Sequence, residues 1–335
     1  MSTKTIMHIA KGAGVSIATV SRAIRGKEGV GKETRAKIVQ IAERVHYSPN
    51  LQARGLASNK LDAIEIIIPR TSEYAFSNPY YAEILKGISK KAKERGQILI
   101  LSISEEADYA RIYDHRLAAG LIVLANRCDD PWIVKAWQRK IPLMLIPGDL
   151  NNPKIPSVDS DSVGGAFAAV EHLIGLGHRR IAFINGVMNS KYSIERLAGY
   201  RRALEKHSIP IQESLIVGSQ FNPETAYLGM KKLLSFPKPP TAVLVINYYS
   251  VIGAMRAAKE EGYRIPEDIS LIGFGDVPFS SMTDPPLTTV HESFQEMGLQ
   301  VTERLLQIIV GKKLNKRHLV FPAGLVIRKS TASPR

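Results

Sequence analysis

The segment TIMHIAKGAGVSIATVSRAI, residues 5–24, determines the structure expected at the front of this chain. In its first half, apolar side chains recur at helical spacing, at Ile6, Ile9, Ala10 and Ala13. Gly14 then permits a sharp turn, because glycine tolerates a left-handed backbone. Ser16 offers a hydroxyl that can cap a following helix. The segment therefore predicts a helix, a tight turn and a second helix.

The second helix is expected from about Ile17 to Arg25, with Val20 and Ile24 buried. Its outer face shows Ile17, Ala18, Ser21, Arg22 and Arg25. A third helix is expected from about Lys32 to Val45, with Ile38, Ile41, Ala42 and Val45 on its inner side. Small residues near a helix start let that end enter the major groove of DNA, where base edges can be told apart. The pattern predicts a helix-turn-helix, and a plain three-helix bundle is the alternative.

Basic charge is concentrated in the same part of the chain. The net charge is +14, and residues 1–60 hold eleven Lys or Arg against three acids. This asymmetry predicts an anionic partner, either nucleic acid or an anionic membrane surface, and charge alone does not choose between them. A solvated basic surface is the plainest alternative. Within the helix-turn-helix, Arg22 can offer a bidentate fork to guanine, and Ser16, Thr19 and Ser21 can reach phosphates or bases.

Three strings in this region, AGVSIATVSR, TRAKI and HYSPNLQARGLAS, closely resemble the N-terminal headpiece of the lactose/galactose-repressor family of transcription regulators. The resemblance extends over essentially the whole chain. It implies a sequence-specific DNA-binding regulator, with Ile17 and Ala18 as the specificity pair and Arg22 as a base contact. The DNA-contacting residues expected on this basis are Thr5, Ser16, Ile17, Ala18, Thr19, Ser21, Arg22, Asn50, Ala53 and Leu56.

The resemblance also implies a hinge helix that enters the minor groove and carries Asn50, Ala53 and Leu56, with the leucine wedged into the central base step. Gly55 costs about 1 kcal/mol in a helix interior, and so short a helix is marginal in water. We therefore expect residues 50–57 to be helical on DNA and frayed without it. The domains expected are a headpiece over 1–48, a hinge and linker over 49–60 and a core over 61–335.

The core alternates apolar runs with helical stretches. The runs are AIEIIIP, QILILSIS, GLIVLA, IPLMLI, RRIAFI, TAVLVI and DISLIGF, and helices are expected at 80–95, 164–176, 194–207, 224–234 and 251–261. Continuous apolar strands separated by helices indicate α/β lobes with parallel sheets covered on both faces. LGHRRIAFI, IPEDISLIGF and PPLTTV resemble the periplasmic-binding-protein-like core of the same family. One lobe is expected at about 61–161 and 292–320, and the other at about 162–291 and 321–330.

A ligand crevice is expected between the lobes, because ligands bind at the carboxyl ends of parallel strands. Several polar residues fall at such strand ends: Arg70, Asn126, Arg127, Asp161, Asn247, Tyr248 and Asp276. By resemblance, Arg196 is the arginine that binds the effector, Asp161 and Asn126 are polar contacts, and Tyr80 is an aromatic near the crevice. The effector-binding residues chosen are Arg70, Tyr80, Asn126, Asp161, Arg196, Tyr248 and Asp276.

Three departures from the family pattern concern the crevice. Tyr248 in NYYSVIG and Gly275 in GFGD stand where the family often has acids, and IIIPR places Arg70 where many members have an acid. Acids in such crevices accept hydrogen bonds from sugar hydroxyls. Their loss, together with the gain of Arg70, shifts the crevice toward positive potential. The hypothesis is a sugar-derived, anionic effector, such as an acidic sugar or a phosphorylated metabolite.

Other function classes fit the sequence poorly. An enzyme would need a Gly-rich phosphate loop, a GxSxG elbow or a paired-histidine metal motif, and none occurs. A transporter's solute-binding protein would need a secretory signal and would lack the basic helix-turn-helix. Cys128 is the only cysteine, which excludes an intrachain disulfide, and no uninterrupted apolar stretch has a membrane-spanning length. We expect a cytoplasmic homodimer that binds a double-stranded pseudo-palindromic operator and a small-molecule effector, with no catalytic or metal site, no cofactor and no membrane partner.

Overall fold

The computed structural model describes residues 6–24, 28–45, 47, 62–106, 108–115 and 117–335. The chain divides into two compact units, residues 1–61 and residues 62–335. The expectations for Thr5, Arg25, Asn50, Ala53 and Leu56, and for the hinge helix, lie outside the described residues.

The first unit contains three helices: α1 (Ile6–Ala13), α2 (Ile17–Ile24) and α3 (Lys32–Arg44). They pack around a small apolar core in which Ile9, Val20 and Ile38 are fully buried. The turn between α1 and α2 needs glycine, since Gly14 has φ of 73°.

The local signals that predicted α2 are confirmed in part. The backbone N–H of Thr19 donates to Ser16 Oγ at 3.1 Å, so Ser16 caps α2 as expected. Ala23 is buried on the inner face, whereas Ile24, which was expected to be buried, is only half-buried.

The second unit is built on two six-stranded sheets. The strands of the first sheet are β1 (Ala63–Ile68), β2 (Ile98–Ile103), β3 (Leu121–Leu124), β4 (Leu143–Ile146), β5 (Ser157–Ser160) and β11 (His318–Phe321). Those of the second sheet are β6 (Ile181–Asn185), β7 (Ile216–Gly218), β8 (Ala242–Val245), β9 (Ser270–Phe274), β10 (Thr288–His291) and β12 (Gly324–Val326).

Helices connect these strands on both faces of each sheet. In the first lobe they are α4 (Ser72–Ser77), α5 (Pro79–Glu94), α6 (Tyr109–Asp114), α7 (Pro131–Gln138) and the late helix α12 (Phe294–Ile309). In the second lobe they are α8 (Ser162–Gly175), α9 (Lys191–Lys206), α10 (Pro223–Leu234) and α11 (Tyr248–Glu260), with two short 3-10 helices at Glu213–Leu215 and Pro278–Ser281.

Both sheets have the same doubly wound arrangement. The first has the order β11-β5-β4-β3-β1-β2 with all pairs parallel, and the second has the order β12-β10-β9-β8-β6-β7 with only β12 antiparallel. The prediction of two parallel-sheet α/β lobes is therefore confirmed. The winding direction reverses between β1 and β3 and between β6 and β8, and such switch points are where ligands bind in this type of sheet.

The chain passes between the two sheets three times. It leaves the first sheet after β5, returns through α12 after β10, and passes to β12 after β11. Strand β11 ends at Phe321, one residue beyond the lobe boundary expected at 320. These crossings bring residues distant in sequence to the space between the switch points.

Candidate ligand cavity and exposed helix face

The outward face of α2 in the first unit carries the side chains that the sequence selected for DNA contact. Ile17, Ala18 and Arg22 are exposed, and Ser21 is half-buried on the same face. Within the described part of the chain, Arg22 makes no hydrogen bond or ion pair. Thr19 is half-buried, and the Ser16 hydroxyl is already engaged with the backbone and hydroxyl of Thr19. This face therefore offers an apolar and small helix start followed by an available guanidinium.

In the second unit, a cavity lies where the two switch points face each other. Its empty volume, counted together with the solvent at its open mouth, is about 540 Å³. Arg70 follows β1, Arg127 follows β3, and Asn247 follows β8. The lining residues are Arg70, Tyr74, Asn78, Tyr80, Tyr81, Ala125, Arg127, Ser190, Tyr192, Arg196, Phe221, Asn247, Tyr248, Phe274, Glu292 and Phe294.

Eight of the sixteen described residues that line the cavity are aromatic. Tyr80 packs edge-on against Phe294 at 5.3 Å and against Tyr192 at 6.1 Å between ring centroids. Burial raises the pKa of Tyr80, and likewise raises the pKa of Tyr192 and of Tyr248, so these phenols are neutral at physiological pH. The charge of the cavity is therefore set by its arginines and by Glu292.

Arg196 and Glu292 form a buried ion pair at the inner end of the cavity. Arg196 Nη2 donates to the two carboxylate oxygens of Glu292 at 2.8 and 2.9 Å, and Nη1 donates to the carbonyl of Ile246 at 2.6 Å. The guanidinium also lies 3.9 Å above the Phe274 ring. Arg196 and Glu292 are only 4% and 3% exposed, so each is held in place by the other.

The other two arginines of the cavity have no carboxylate partner among the described residues. Arg70 donates from its guanidinium to the carbonyls of Pro69 and Ala125. Arg127 lies 5.5 Å over the ring of Phe221. Burial, and then the positive charge of Arg70, lower the pKa of Arg127 to about 10. Two guanidinium groups on the first lobe therefore lie in the cavity wall without a carboxylate at ion-pair distance among the described residues.

Hydrogen bonds join the lobes across the cavity. The hydroxyls of Tyr80 and Tyr192 are 3.0 Å apart, and Tyr248 Oη donates to Asn78 Oδ1 at 2.9 Å. Tyr74 Oη donates to the carbonyl of Phe221 at 3.3 Å. These bonds exist only while the lobes hold this separation, so a change in lobe closure breaks or replaces them.

Two of the departures seen in the sequence, Tyr248 and Gly275, are sterically linked. Gly275 has φ of 89°, and a Cβ placed there would lie 2.4 Å from the Tyr248 ring. The tyrosine ring thus occupies the space into which a side chain at 275 would project. With the Tyr248 ring in this position, residue 275 has room only for glycine.

Four of the seven residues chosen from the sequence for effector binding line this cavity, namely Arg70, Tyr80, Arg196 and Tyr248. The other three do not. Asp161 is exposed and caps α8 by accepting from the Gly164 N–H at 2.8 Å, and Asp276 pairs with Arg328 at 2.7 Å. Asn126 is buried, and its side-chain oxygen has no partner among the described residues.

Sequence reasoning missed Glu292 and most of the aromatic wall. Arg127 and Asn247 were noted at strand ends but were not chosen, and both line the cavity. Glu292 directly follows β10, so the same strand-end signal could have found it.

No group of three or more His, Cys, Asp or Glu side chains with metal-binding geometry occurs within the described ranges. Among the helices that the structure describes, none has the length and apolarity needed to cross a membrane.

Comparison with protein families gives two matches. Residues 5–50 match the family described as bacterial regulatory proteins, lacI family, and residues 170–331 match a periplasmic binding protein-like domain. The expected two-part composition of the chain is therefore confirmed.

Full-length relatives show the same composition. The chain is 32% identical to the probable HTH-type transcriptional repressor ExuR of Bacillus subtilis, over 97% of this chain and 98% of that protein. It is 34% identical to the HTH-type transcriptional regulator DegA of the same organism, over 98% of both. The lac repressor dimer bound to operator and the anti-inducer ONPF is similar in structure, with a TM-score of 0.86 and 28% identity over 99% of this chain and 100% of that one.

Proposed function

The chain belongs to the LacI family of bacterial DNA-binding transcription regulators, and from that premise we propose that it is a repressor whose hold on a pseudo-palindromic operator is set by a small molecule in the cavity of its second unit. The observation that carries this proposal is the pairing of an exposed face on α2 with an arginine- and tyrosine-lined cavity at two facing switch points. Its site of action is the cytoplasm, where its DNA partner lies.

DNA recognition is assigned to the exposed face of α2. Ile17 and Ala18 start the helix, where small and apolar side chains can approach base edges, and Arg22 lies one turn further along. A guanidinium on this face can donate two hydrogen bonds to one guanine. The basic charge of residues 1–60 adds sequence-independent attraction to phosphates.

A homodimer is proposed because one recognition helix reads too few base pairs for a unique site. Large apolar side chains are exposed on helices that pack against each other in the second lobe, with Leu228 on α10 at 63% and Ile252 on α11 at 42%. Met282, just after the second 3-10 helix, is 76% exposed. Apolar surface of this kind is typical of a protein interface, and the lac repressor relative is itself a dimer.

Selection of bound sites from random duplex DNA tests the DNA assignment. The wild-type chain should enrich a palindrome, and Arg22→Ala should lose about 1–3 kcal/mol on that site while its affinity for random DNA changes little. Lys37→Ala, which removes an exposed cation from α3, serves as the control and should affect both duplexes alike. Enrichment of no sequence over scrambled duplex would refute the proposal.

Sedimentation analysis tests the dimer. The double variant Leu228→Glu, Ile252→Glu should sediment as a monomer and bind the selected palindrome more weakly than the wild type. Val310→Glu places the same charge on a side chain that is 64% exposed at the end of α12, and it should remain dimeric. A monomeric wild type at micromolar concentration would contradict the assignment.

A further inference from the structure

Building on the proposed effector site, we propose that the cavity takes a small organic anion whose oxyanion group, a carboxylate or a phosphate, is bound between Arg70 and Arg127. The remaining part of the ligand lies against the aromatic wall. Three observations support the proposal. The only carboxylate in the described cavity lining is already paired with Arg196, Arg127 is half-buried, and backbone carbonyls contact Arg70.

Among the described residues that line the cavity, two cations have no carboxylate of their own. Glu292 is the one carboxylate among the described lining residues, and both of its oxygens accept from Arg196. It therefore cannot compensate Arg70 or Arg127. A ligand that brings its own negative charge completes the balance that the protein leaves open.

Asp129 and Asp130 act on the two cations only from a distance, Asp129 on Arg127 and Asp130 on Arg70. Asp129 accepts from Asn189 Nδ2 at 3.3 Å. Asp130 accepts from Tyr109 Oη at 2.6 Å and from the Trp132 backbone N–H at 3.0 Å. Neither aspartate lines the cavity or lies within ion-pair distance of Arg70 or Arg127. The arginines are thus not one half of an internal ion pair.

The environment of Arg127 penalises its charge. The side chain is half-buried over the Phe221 ring, and burial together with the charge of Arg70 lowers the pKa of Arg127 to about 10. A bound oxyanion next to both guanidinium groups would remove their mutual repulsion. It would also replace the lost hydration of Arg127 with charge-assisted hydrogen bonds.

Arg70 is held ready for such a ligand. Two of its five guanidinium N–H donors point to the carbonyls of Pro69 and Ala125, and these backbone contacts fix the plane of the group. The guanidinium also interacts with the Tyr81 hydroxyl, and both residues line the cavity wall. Because the group is already ordered, binding loses little side-chain entropy, which is the advantage arginine has over lysine in oxyanion sites.

Inorganic phosphate and sulfate are the first probes, because they test the anion site without any assumption about the rest of the ligand. Compared with chloride at equal ionic strength, either anion should raise the melting temperature of the second unit within the full wild-type chain. The double variant Arg70→Gln, Arg127→Gln should show no such rise. Arg202→Gln, which removes an exposed arginine from α9 outside the cavity, should respond as the wild type does. Equal responses in all three proteins would overturn the proposal.

Calorimetry on the full chain then separates the two sources of the oxyanion. Glucuronate and galacturonate are compared with glucose and galactose, and glucose 6-phosphate is compared with glucose. At least one acid should bind ten or more times tighter than its neutral partner, and each single Gln variant should weaken that acid about tenfold or more. A neutral sugar that binds as tightly as its acid, or the failure of every anion at millimolar concentration, would refute the proposal.

The same protein preparations distinguish this proposal from the proposed function. If the wild type selects a palindrome but ignores all anions, the anion assignment is wrong and the DNA-binding assignment stands. If anions bind through Arg70 and Arg127 but no duplex is preferred, the anion assignment stands and the DNA-binding assignment is wrong.

Discussion

The two units of this protein present their functional residues in opposite ways. The first unit exposes them on one face of α2, where they make few contacts with the rest of the described chain. The second unit encloses them between two sheets, where Arg196, Glu292 and the tyrosines hold one another. Exposed residues can change with little effect on folding, whereas enclosed residues carry both structure and recognition.

The arginines of the two units differ in whether a carboxylate partner lies beside them. Arg22 on α2 and the pair Arg70 and Arg127 in the cavity have no carboxylate partner among described residues, but Arg196 does. An arginine with a buried internal partner mainly holds the cavity together. An arginine without one can donate to an external acceptor, which we propose is a phosphate or a base edge in the first unit and a ligand oxyanion in the second. The following variants test this division, beginning with the largest expected effect.

Replacing the paired arginine should damage folding most. Arg196→Met leaves Glu292 buried without its partner, and such a change typically costs about 3–5 kcal/mol. The free energy of unfolding of the second unit in urea measures the loss. Arg202→Met on the same helix is the matched control and should change stability by less than about 0.5 kcal/mol. Similar losses for both variants would show that the Arg196 pair has no special structural role.

A substitution in the core of the first unit should destabilise that unit alone. Ile38→Ala removes a fully buried side chain from a small core and should cost about 2–5 kcal/mol there. Hydrogen exchange should show loss of protection in α1, α2 and α3, and DNA binding should fall. Anion binding by the second unit should be unchanged. A parallel loss of anion binding would mean that the two units do not fold independently.

The steric conflict between the Tyr248 ring and a side chain at position 275 can be measured directly. Gly275→Ala should cost about 1–3 kcal/mol from overpacking against the Tyr248 ring, in addition to the strain of a positive φ. Gly311→Ala is the control for strain alone, since Gly311 has φ of 76° and open space around its Cβ position. Adding Tyr248→Ala should remove the overpacking part in a double-mutant cycle. Additive effects would refute the steric link.

The smallest effect concerns pH. Burial lowers the pKa of His178, whose ring nitrogens lie near the hydroxyls of Thr241 and Ser270 and the carbonyl of Ala332. The unfolded chain therefore takes up a proton first as the pH falls below about 6.5, and the unfolding free energy should decrease from there downward. Above that pH, the contribution of neutral His178 to the unfolding free energy should be fully retained. His178→Gln should flatten this dependence between pH 7 and 5, and an unchanged slope would exclude His178 as its source.

The exposed helix face of the first unit could be predicted from the sequence more fully than the cavity of the second unit. The outer face of α2 follows from helical spacing alone, and the strand-end rule located Arg70 and Tyr248 at the cavity. The same rule also selected Asp161, which caps a helix, because a strand end followed by a helix start favours an acid for either role. The pairing of Arg196 with Glu292 spans 96 residues, and no local pattern encodes it.

The aromatic wall was the least predictable feature. Tyr192, Phe221 and Phe294 come from three separate segments and meet only because the chain crosses three times between the sheets. Strand β5, SVDS, was also missed, since its short polar sequence lacks the apolar run that marked the other central strands.

The most direct test of the account measures operator affinity while the cavity is titrated with the acid that binds it most tightly. Fluorescence anisotropy of the selected palindrome should show the affinity changing by roughly 5- to 150-fold at saturation, the range usual for coupling between two sites. The Arg70→Gln, Arg127→Gln variant should hold the same palindrome with no response to the acid. An acid that saturates the wild-type cavity and leaves its operator affinity unchanged would contradict the claim that the second unit controls the first.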